Sequence, residues 1–222
     1  MSKLSTSRND GQGGKGVTMT PSSGEYERVV LWFHGLGDQA DGWSELMPAL
    51  DMEKTKFILP SASPRPIALN GGASMPGWSN IYGLDASSQE DKEGFTSSAE
   101  RVNALIQSEI DVGIAPHNIC VGGFSQGGAL ALHVSLRSAH QLGCCVALST
   151  WLPFRDEYPT ALPATLNKAM PVLQVHGSAD QVVAHKWGQG SSELLKTMLT
   201  NHEFITIKVC THANDLGSDI YP

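Results

Sequence analysis

The segment that most constrains the fold runs from residue 118 to residue 133 and places a serine between a strand and a helix. Residues 119–121 form a short apolar run rich in β-branched side chains, which is typical of a buried strand. Leucines among small residues follow Gln126, which suits a helix packed on a sheet. Between them lies Gly123-Phe-Ser-Gln-Gly127, a G-x-S-x-G pattern. A serine in such a tight turn needs neighbours without a Cβ. The pattern therefore predicts an exposed Ser125 hydroxyl, and it favours a hydrolase over a structural glycine-rich turn.

The rest of the chain alternates apolar strand-like runs with segments of helical spacing. Strands are predicted at 29–33, 56–59, 144–148, 171–175 and 204–209, and further helices at 95–112 and 187–199. This alternation predicts an α/β fold of the α/β-hydrolase type, with a mainly parallel central sheet and helices on both faces. In such sheets reactive groups gather beyond the carboxyl ends of the strands.

Domain organisation follows from composition. Residues 1–24 are rich in Ser, Thr and Gly with few apolar side chains, so they are predicted to be a disordered tail. Residues 25–222 are predicted to form one domain.

Charge and cysteine usage exclude several function classes. A net charge of −7 argues against a nucleic-acid partner. The chain has no apolar run near 18 residues and no secretory signal, so stable membrane insertion is not expected. Three of its four cysteines lie in predicted core strands and none is in a Cys-x-x-Cys pair, which is typical of a reduced, cytoplasmic protein. No cofactor and no metal ligand are predicted.

A serine nucleophile needs a base, and the base needs an orienting carboxylate. In this fold the chain order is Ser, then Asp or Glu, then His. Asp180 follows a predicted strand end and is the candidate acid; the alternative is a turn residue that caps the next helix. His212 follows the last predicted strand and is the candidate base. The histidines considered less suited to that role are His117, His133, His140, His185 and His202.

The same reasoning predicts the other parts of a hydrolase site. Two backbone N–H groups must stabilise the oxyanion, and Leu36 and Gln126 are the candidates. His34 is then a structural residue of the loop that carries Leu36. Trp78 and Trp151 lie in segments that are candidates for acyl binding, although ordinary packing explains them equally well.

Taken together, these motifs resemble the acyl-protein thioesterases, in the phospholipase/carboxylesterase group of α/β-hydrolases. The resemblance covers about residues 26–212. The segments that carry it are His34-Gly-Leu-Gly-Asp38, Gly122-Gly-Phe-Ser-Gln-Gly-Gly128, His176-Gly-Ser-Ala-Asp180, Tyr82-Gly-Leu-Asp85 and Ser88-Gln-Glu-Asp91. It implies hydrolysis of palmitoyl thioesters on protein cysteines, with side activity on lysophospholipids and small esters and without a cofactor. S-acylated proteins or acyl lipids are then the expected partners, while the oligomeric state stays open.

Three departures from that family pattern bear on function. Trp78-Ser-Asn80 replaces a Trp-Phe-Asp motif, so a carboxylate and an aromatic ring are absent. Val209 stands where the family has glycine before its histidine, and a β-branched residue disfavours that turn. Residues 213–222 stand in place of a long amphipathic helix, whose loss is expected to expose several hundred Å² of apolar surface at ~25 cal/mol per Å². Two alternative functions therefore stay open: a catalytically impaired relative that binds acyl ligands without turnover, and a small-ester carboxylesterase.

Overall fold

The computed structural model describes residues 4–84, 88–163 and 168–212. Within these ranges the chain forms ten strands and four α-helices. The strands are β1 (Leu4–Ser7), β2 (Gly16–Pro21), β3 (Arg28–Phe33), β4 (Thr55–Pro60), β5 (Pro64–Ile67), β6 (Ala73–Pro76), β7 (Ile119–Phe124), β8 (Cys144–Leu148), β9 (Val172–Gly177) and β10 (His202–Ile207). The helices are α1 (Asp41–Ser44), α2 (Lys92–Asp111), α3 (Gln126–Arg137) and α4 (His185–Met198).

Eight strands form one sheet in the order β1-β2-β4-β3-β7-β8-β9-β10, and β5 pairs with β6 in a separate hairpin. The strands from β4 to β10 in this order run parallel, while β1 and β2 pair antiparallel. The predicted α/β-hydrolase fold with a mainly parallel sheet is confirmed. Because the parallel strands share one direction, the loops after β3, β7 and β9 meet at one edge of the sheet.

The larger core lies on what we call the first face of the sheet. Leu31, Val121 and Cys145 are register partners there and are almost fully buried. The same apolar cluster includes buried side chains from α2, α3 and α4, such as Leu105 and Leu130. These three helices therefore cover the first face.

The second face of the sheet is covered unevenly. Near β2, β3 and β4 it packs against α1 and the 3-10 turn Met47–Leu50, with Trp43 against Trp32 at 5.2 Å between ring centroids. Over β8 to β10, by contrast, its apolar side chains are half-buried or exposed. These side chains are Val146, Leu148, Leu173, Val175, Ile205 and Ile207. No described helix covers this part of the second face.

The prediction of a disordered tail at residues 1–24 is wrong for the described residues. β1 and β2 form an antiparallel hairpin that extends the sheet beyond β4. Val17 and Met19 are buried in the second-face core, and Asp10 in the connecting turn forms an ion pair with Arg101 at 2.7 Å. Burial of side chains from β2, which lies between β1 and β4, offsets the Ser, Thr and Gly content that suggested disorder.

No α-helix within the described ranges is long and apolar enough to cross a membrane. The predicted absence of a final amphipathic helix concerns residues 213–222, which lie outside the described residues.

Candidate active site

Ser125 lies in a strained turn between β7 and α3. Its backbone angles are φ 53° and ψ −121°, a region that residues with a Cβ rarely adopt. A Cβ on Gly127 would lie 2.1 Å from the Phe33 carbonyl oxygen, and one on Gly123 would lie 2.5 Å from the backbone of Gly127. Glycine at both positions therefore permits the close approach of β3, β7 and α3 that the sequence pattern predicts.

The side chains of Ser125, His212 and Asp180 form one hydrogen-bonded line. His212 Nε2 lies 2.9 Å from Ser125 Oγ, and His212 Nδ1 lies 2.7 Å from Asp180 Oδ2. These residues come from the loops after β7, β10 and β9. The predicted acid and base candidates therefore lie together with the serine. His202, at the start of β10, hydrogen-bonds Gln174 instead.

The Asp180 carboxylate is held by backbone donors. Its Oδ1 accepts hydrogen bonds from the N–H groups of Val182 and Val183, both at 2.9 Å, which leaves Oδ2 directed at His212. His176 lies 3.4 Å from the same Oδ2 and donates to the Val183 carbonyl at 2.7 Å. Burial lowers the pKa of His176, which favours its neutral form beside the carboxylate.

The position of His212 depends on two contacts that the sequence did not identify. Its ring packs on Phe124, with 4.8 Å between centroids. The second contact fixes the turn three residues before His212, where Val209 donates its N–H to Ser178 Oγ at 2.9 Å. The Phe124 contact could have been inferred, because Phe124 lies inside the G-x-S-x-G pattern.

Val209 adopts the left-handed backbone conformation that the family's glycine suggests. Its φ is 63° and its side chain is 80% exposed. Valine therefore does not prevent the turn. It is still disfavoured there, because a β-branched residue is strained at positive φ.

The loop after β3 packs against the serine turn. A Cβ on Gly35 would lie 3.1 Å from the Phe124 ring and 3.5 Å from Ser125 Cβ, so the Leu36 backbone follows directly beside the serine. His34 holds the loop: its Nδ1 donates to the Gly35 carbonyl at 2.6 Å, and its Nε2 accepts from the Ala62 N–H at 2.9 Å. Burial lowers the pKa of His34, in agreement with this neutral, structural arrangement.

Trp78 does not line a binding surface. The side chain is only 1% exposed, and its indole N–H donates to the His34 carbonyl at 2.8 Å. Its backbone N–H donates to the Gln126 side chain at 2.8 Å. The prediction that Trp78 binds substrate is contradicted: tertiary packing makes it a support for the two loops that carry Leu36 and Gln126.

The Asn80 side chain accepts a hydrogen bond, as a carboxylate at its position could. Its Oδ1 accepts a hydrogen bond from the Ala68 N–H at 2.8 Å. Its own N–H donates to Asp91 Oδ2 at 2.6 Å. The neighbouring Ser79 is buried and accepts from the Gln126 side chain through its carbonyl and its hydroxyl. Replacement of the family motif therefore leaves this segment anchored.

A cavity of about 710 Å³ opens beside the hydrogen-bonded line. Trp151 lines it, together with apolar side chains that include Phe95, Leu152, Val182 and Trp187. Ser125 and His212 do not line the cavity; it approaches them through Val182 and Val183, which bind Asp180. Such a volume lies within the range of about 300–1,000 Å³ that is usual for ligand sites.

The cavity also contains acidic groups. Glu90 accepts a hydrogen bond from the Phe154 N–H at 2.7 Å and one from the Trp151 side chain. Burial raises the pKa of Glu90. Asp91 and Asp156 also line the cavity, so its wall is not uniformly apolar.

The fold and the serine turn define the class of protein, an α/β-hydrolase. Comparison with known proteins then gives the family. The pattern of the phospholipase/carboxylesterase family matches residues 16–217, and the chain belongs to this family. It is accordingly a serine hydrolase of esters or thioesters.

Named relatives agree with this assignment. The chain is 37% identical over 192 residues to acyl-protein thioesterase 1 homolog 1 of Dictyostelium discoideum, covering 84% of each chain. It is 36% identical over 205 residues to acyl-protein thioesterase 1 of Neurospora crassa, covering 88% of this chain and 84% of that one. Among solved structures, SOBER1 of Arabidopsis thaliana matches with a TM-score of 0.79 and 30% identity, over 84% of this chain and 91% of that one. Acyl-protein thioesterase 2 of Zea mays matches with a TM-score of 0.78 and 30% identity, over 96% and 93%.

Proposed function

We propose that Ser125, His212 and Asp180 form the catalytic triad of this hydrolase. The observation that carries the proposal is the hydrogen-bonded line from Ser125 Oγ through both ring nitrogens of His212 to Asp180 Oδ2, at 2.9 Å and 2.7 Å. With Nδ1–H donating to the carboxylate, Nε2 is the free acceptor that a neutral histidine offers the serine hydroxyl.

The mechanism follows from this polarity. Ser125 Oγ attacks the carbonyl carbon of the thioester while His212 Nε2 takes the hydroxyl proton, and Asp180 stabilises the imidazolium that forms. The tetrahedral intermediate collapses when the imidazolium protonates the departing thiolate. Water, deprotonated by His212, then attacks the acyl-enzyme and releases the carboxylic acid.

The Leu36 and Gln126 N–H groups are proposed to bind the oxyanion. Gln126 is the first residue of α3, so its N–H has no acceptor within the helix. Leu36 lies in the loop that packs on Ser125 through Gly35. Donors fixed before the reaction stabilise the developing charge without reorganisation, which is the largest electrostatic contribution in such sites.

The substrate class that we propose is the long-chain acyl thioester of a protein cysteine, palmitoyl thioesters included. Two of the relatives above bear the name acyl-protein thioesterase 1 or a homologue of it. The cavity, lined by Trp151 and other apolar side chains, offers room for an acyl chain. A cytoplasmic location is part of the proposal, supported by four cysteines that form no disulfide in the described chain.

A specific observation favours a second candidate, a carboxylesterase for small polar esters. Glu90, Asp91 and Asp156 line the same cavity, and a bound hydrocarbon chain would remove water from these carboxylates at a cost in free energy. Catalytic impairment is a separate possibility, motivated by the strained turn at Val209 before His212.

Hydrolysis of a series of acyl thioesters and oxygen esters of increasing chain length tests these alternatives. We expect kcat/KM to rise with chain length and to be higher for thioesters of an acylated peptide. Ser125→Ala should lower kcat by about 10⁴- to 10⁶-fold, and Asp180→Asn by about 10⁴-fold. His140→Ala, on the surface and hydrogen-bonded to Gln107, should leave it unchanged. A maximum at short oxygen esters would favour the carboxylesterase, and no turnover by a folded protein would contradict the enzymatic proposal.

A further inference from the structure

Two cysteines lie side by side on neighbouring parallel strands, far along the sheet from Ser125. Cys120 near the start of β7 is the register partner of Cys144 at the start of β8. Register partners on adjacent strands project from the same face of a sheet. This is the second face, which no described helix covers over β8 to β10, and both side chains are only partly buried there.

The two thiols contact each other. The register places the Cys144 thiol and the Cys144 backbone N–H beside the Cys120 sulfur, where both favour its thiolate. Neighbouring strands lie ~4.8 Å apart, which is within the ~4.4–6.8 Å between Cα atoms that a disulfide requires. Gly143 adjoins the sulfur as well: a Cβ built there would lie 3.3 Å from Cys120 Sγ. The absence of that Cβ leaves the Cys120 sulfur less crowded.

The hydrogen bond from Cys144 and the charge of Arg28 lower the pKa of Cys120 and so favour its thiolate, although burial opposes them. The same contact raises the pKa of Cys144, so only one sulfur of the pair is activated. Cys145 offers an internal comparison. It is fully buried on the first face, and burial raises its pKa to about 12.

We propose that Cys120 and Cys144 form an oxidisable dithiol site that reacts with a hydroperoxide. The Cys120 thiolate attacks one peroxide oxygen, the O–O bond breaks, and Cys120 becomes a sulfenic acid while hydroxide leaves. The Cys144 sulfur then attacks the Cys120 sulfur, displacing the sulfenic hydroxyl as water with the Cys144 proton. Two thiols are thus oxidised to one disulfide, and hydrogen peroxide is reduced to two waters. A dithiol reductant reverses the reaction.

The test treats the native full-length wild-type chain with hydrogen peroxide, alkylates the remaining thiols and maps the peptides by mass spectrometry. We expect a Cys120–Cys144 disulfide that dithiothreitol removes, formed at least about tenfold faster than any oxidation of Cys145 or Cys210. Fragment ions must assign the link to Cys144 rather than to Cys145, and Cys145→Ala should still form it. Oxidation of Cys120 at the rate of Cys210, a link to another cysteine, or a link formed only in denaturant would overturn the proposal.

A variant examines the order of the two steps. In Cys144→Ser, Cys120 should stop at the sulfenic acid and be captured by dimedone. Capture at Cys144 in Cys120→Ser at the same rate would contradict the assignment of Cys120 as the attacking sulfur. Mapping of the wild-type chain decides the proposal whether or not either variant folds.

Discussion

At the scale of single residues, two residues other than glycine near the hydrogen-bonded line have a positive φ. Ser125 has a φ of 53° at the serine turn, and Val209 has a φ of 63° in the turn before His212. The conformation of Ser125 is imposed by its surroundings. The backbones of β3 and α3 approach closely at the glycines on either side of it, and this fixes the turn. Val209 is different: its side chain is exposed and nothing in the described structure requires a valine there.

Replacement of Val209 by glycine should therefore stabilise the protein. Relief of the left-handed conformation is worth about 1–2 kcal/mol, and the added freedom of the unfolded chain costs about 0.5–1 kcal/mol. The expected net gain is about 0.5–1 kcal/mol in the free energy of unfolding, measured by urea denaturation. Activity should stay within a few-fold of wild type, since the Ser178 contact to the backbone N–H is kept.

Val112→Gly is the matched control for this substitution. Val112 is also an exposed valine, but its φ of −86° carries no such strain. Glycine there should cost about 0.5–1 kcal/mol. Equal destabilisation by both substitutions would show that Val209 is not strained.

The residues of the proposed triad could be predicted from a motif and from strand ends. Ser125 was predicted from the G-x-S-x-G pattern, and Asp180 and His212 because each follows a predicted strand; their side chains do lie together. Trp78 was misassigned because its burial depends on His34 and Gln126, which are distant in the sequence. Tertiary contacts of this kind leave no periodic signal in the chain.

At the scale of elements, the two faces of the sheet differ in how well they are covered. The first face supports α2, α3 and α4, whereas the second face over β8 to β10 presents half-buried apolar side chains. Apolar alternation predicted the central strands correctly. It did not predict the β1–β2 hairpin, because the two side chains that this segment contributes to the apolar core, Val17 and Met19, stand among polar residues.

Truncation of one leucine on each face should measure this asymmetry. Leu130→Ala, in α3 and fully buried, is expected to lower the free energy of unfolding by about 3–5 kcal/mol. Leu173→Ala, on the second face of β9 and half-buried, should lower it by only about 1–2 kcal/mol. Equal losses in chemical denaturation would show that this face is covered in the folded protein.

At the scale of the whole molecule, several histidines are buried or half-buried in surroundings that disfavour their charged form. Burial lowers the pKa of His34, His133, His176 and His202. His133 is the extreme case, with its pKa lowered from 6.5 to about 4. It packs between Phe95 and Phe154, and its Nδ1 has no hydrogen-bond partner among the described residues.

These histidines should make the protein less stable in mild acid. Between pH 6.5 and about 4 the unfolded state binds a proton at His133 that the folded state does not. Stability therefore falls as the pH drops through this window, and His133 accounts for on the order of 3 kcal/mol of the fall. His133→Phe should reduce the slope of unfolding free energy against pH, and His140→Ala should not. An unchanged slope in His133→Phe would contradict the assignment.

Labelling by a fluorophosphonate probe tests whether His212 activates Ser125. Only an activated serine reacts quickly with such a probe. We expect rapid labelling of the wild-type chain, mapped to Ser125, which persists in His140→Ala and is lost in Ser125→Ala and in His212→Ala. Labelling that survives in His212→Ala would show that another residue is the base, and a folded wild-type chain that does not react would contradict the triad itself.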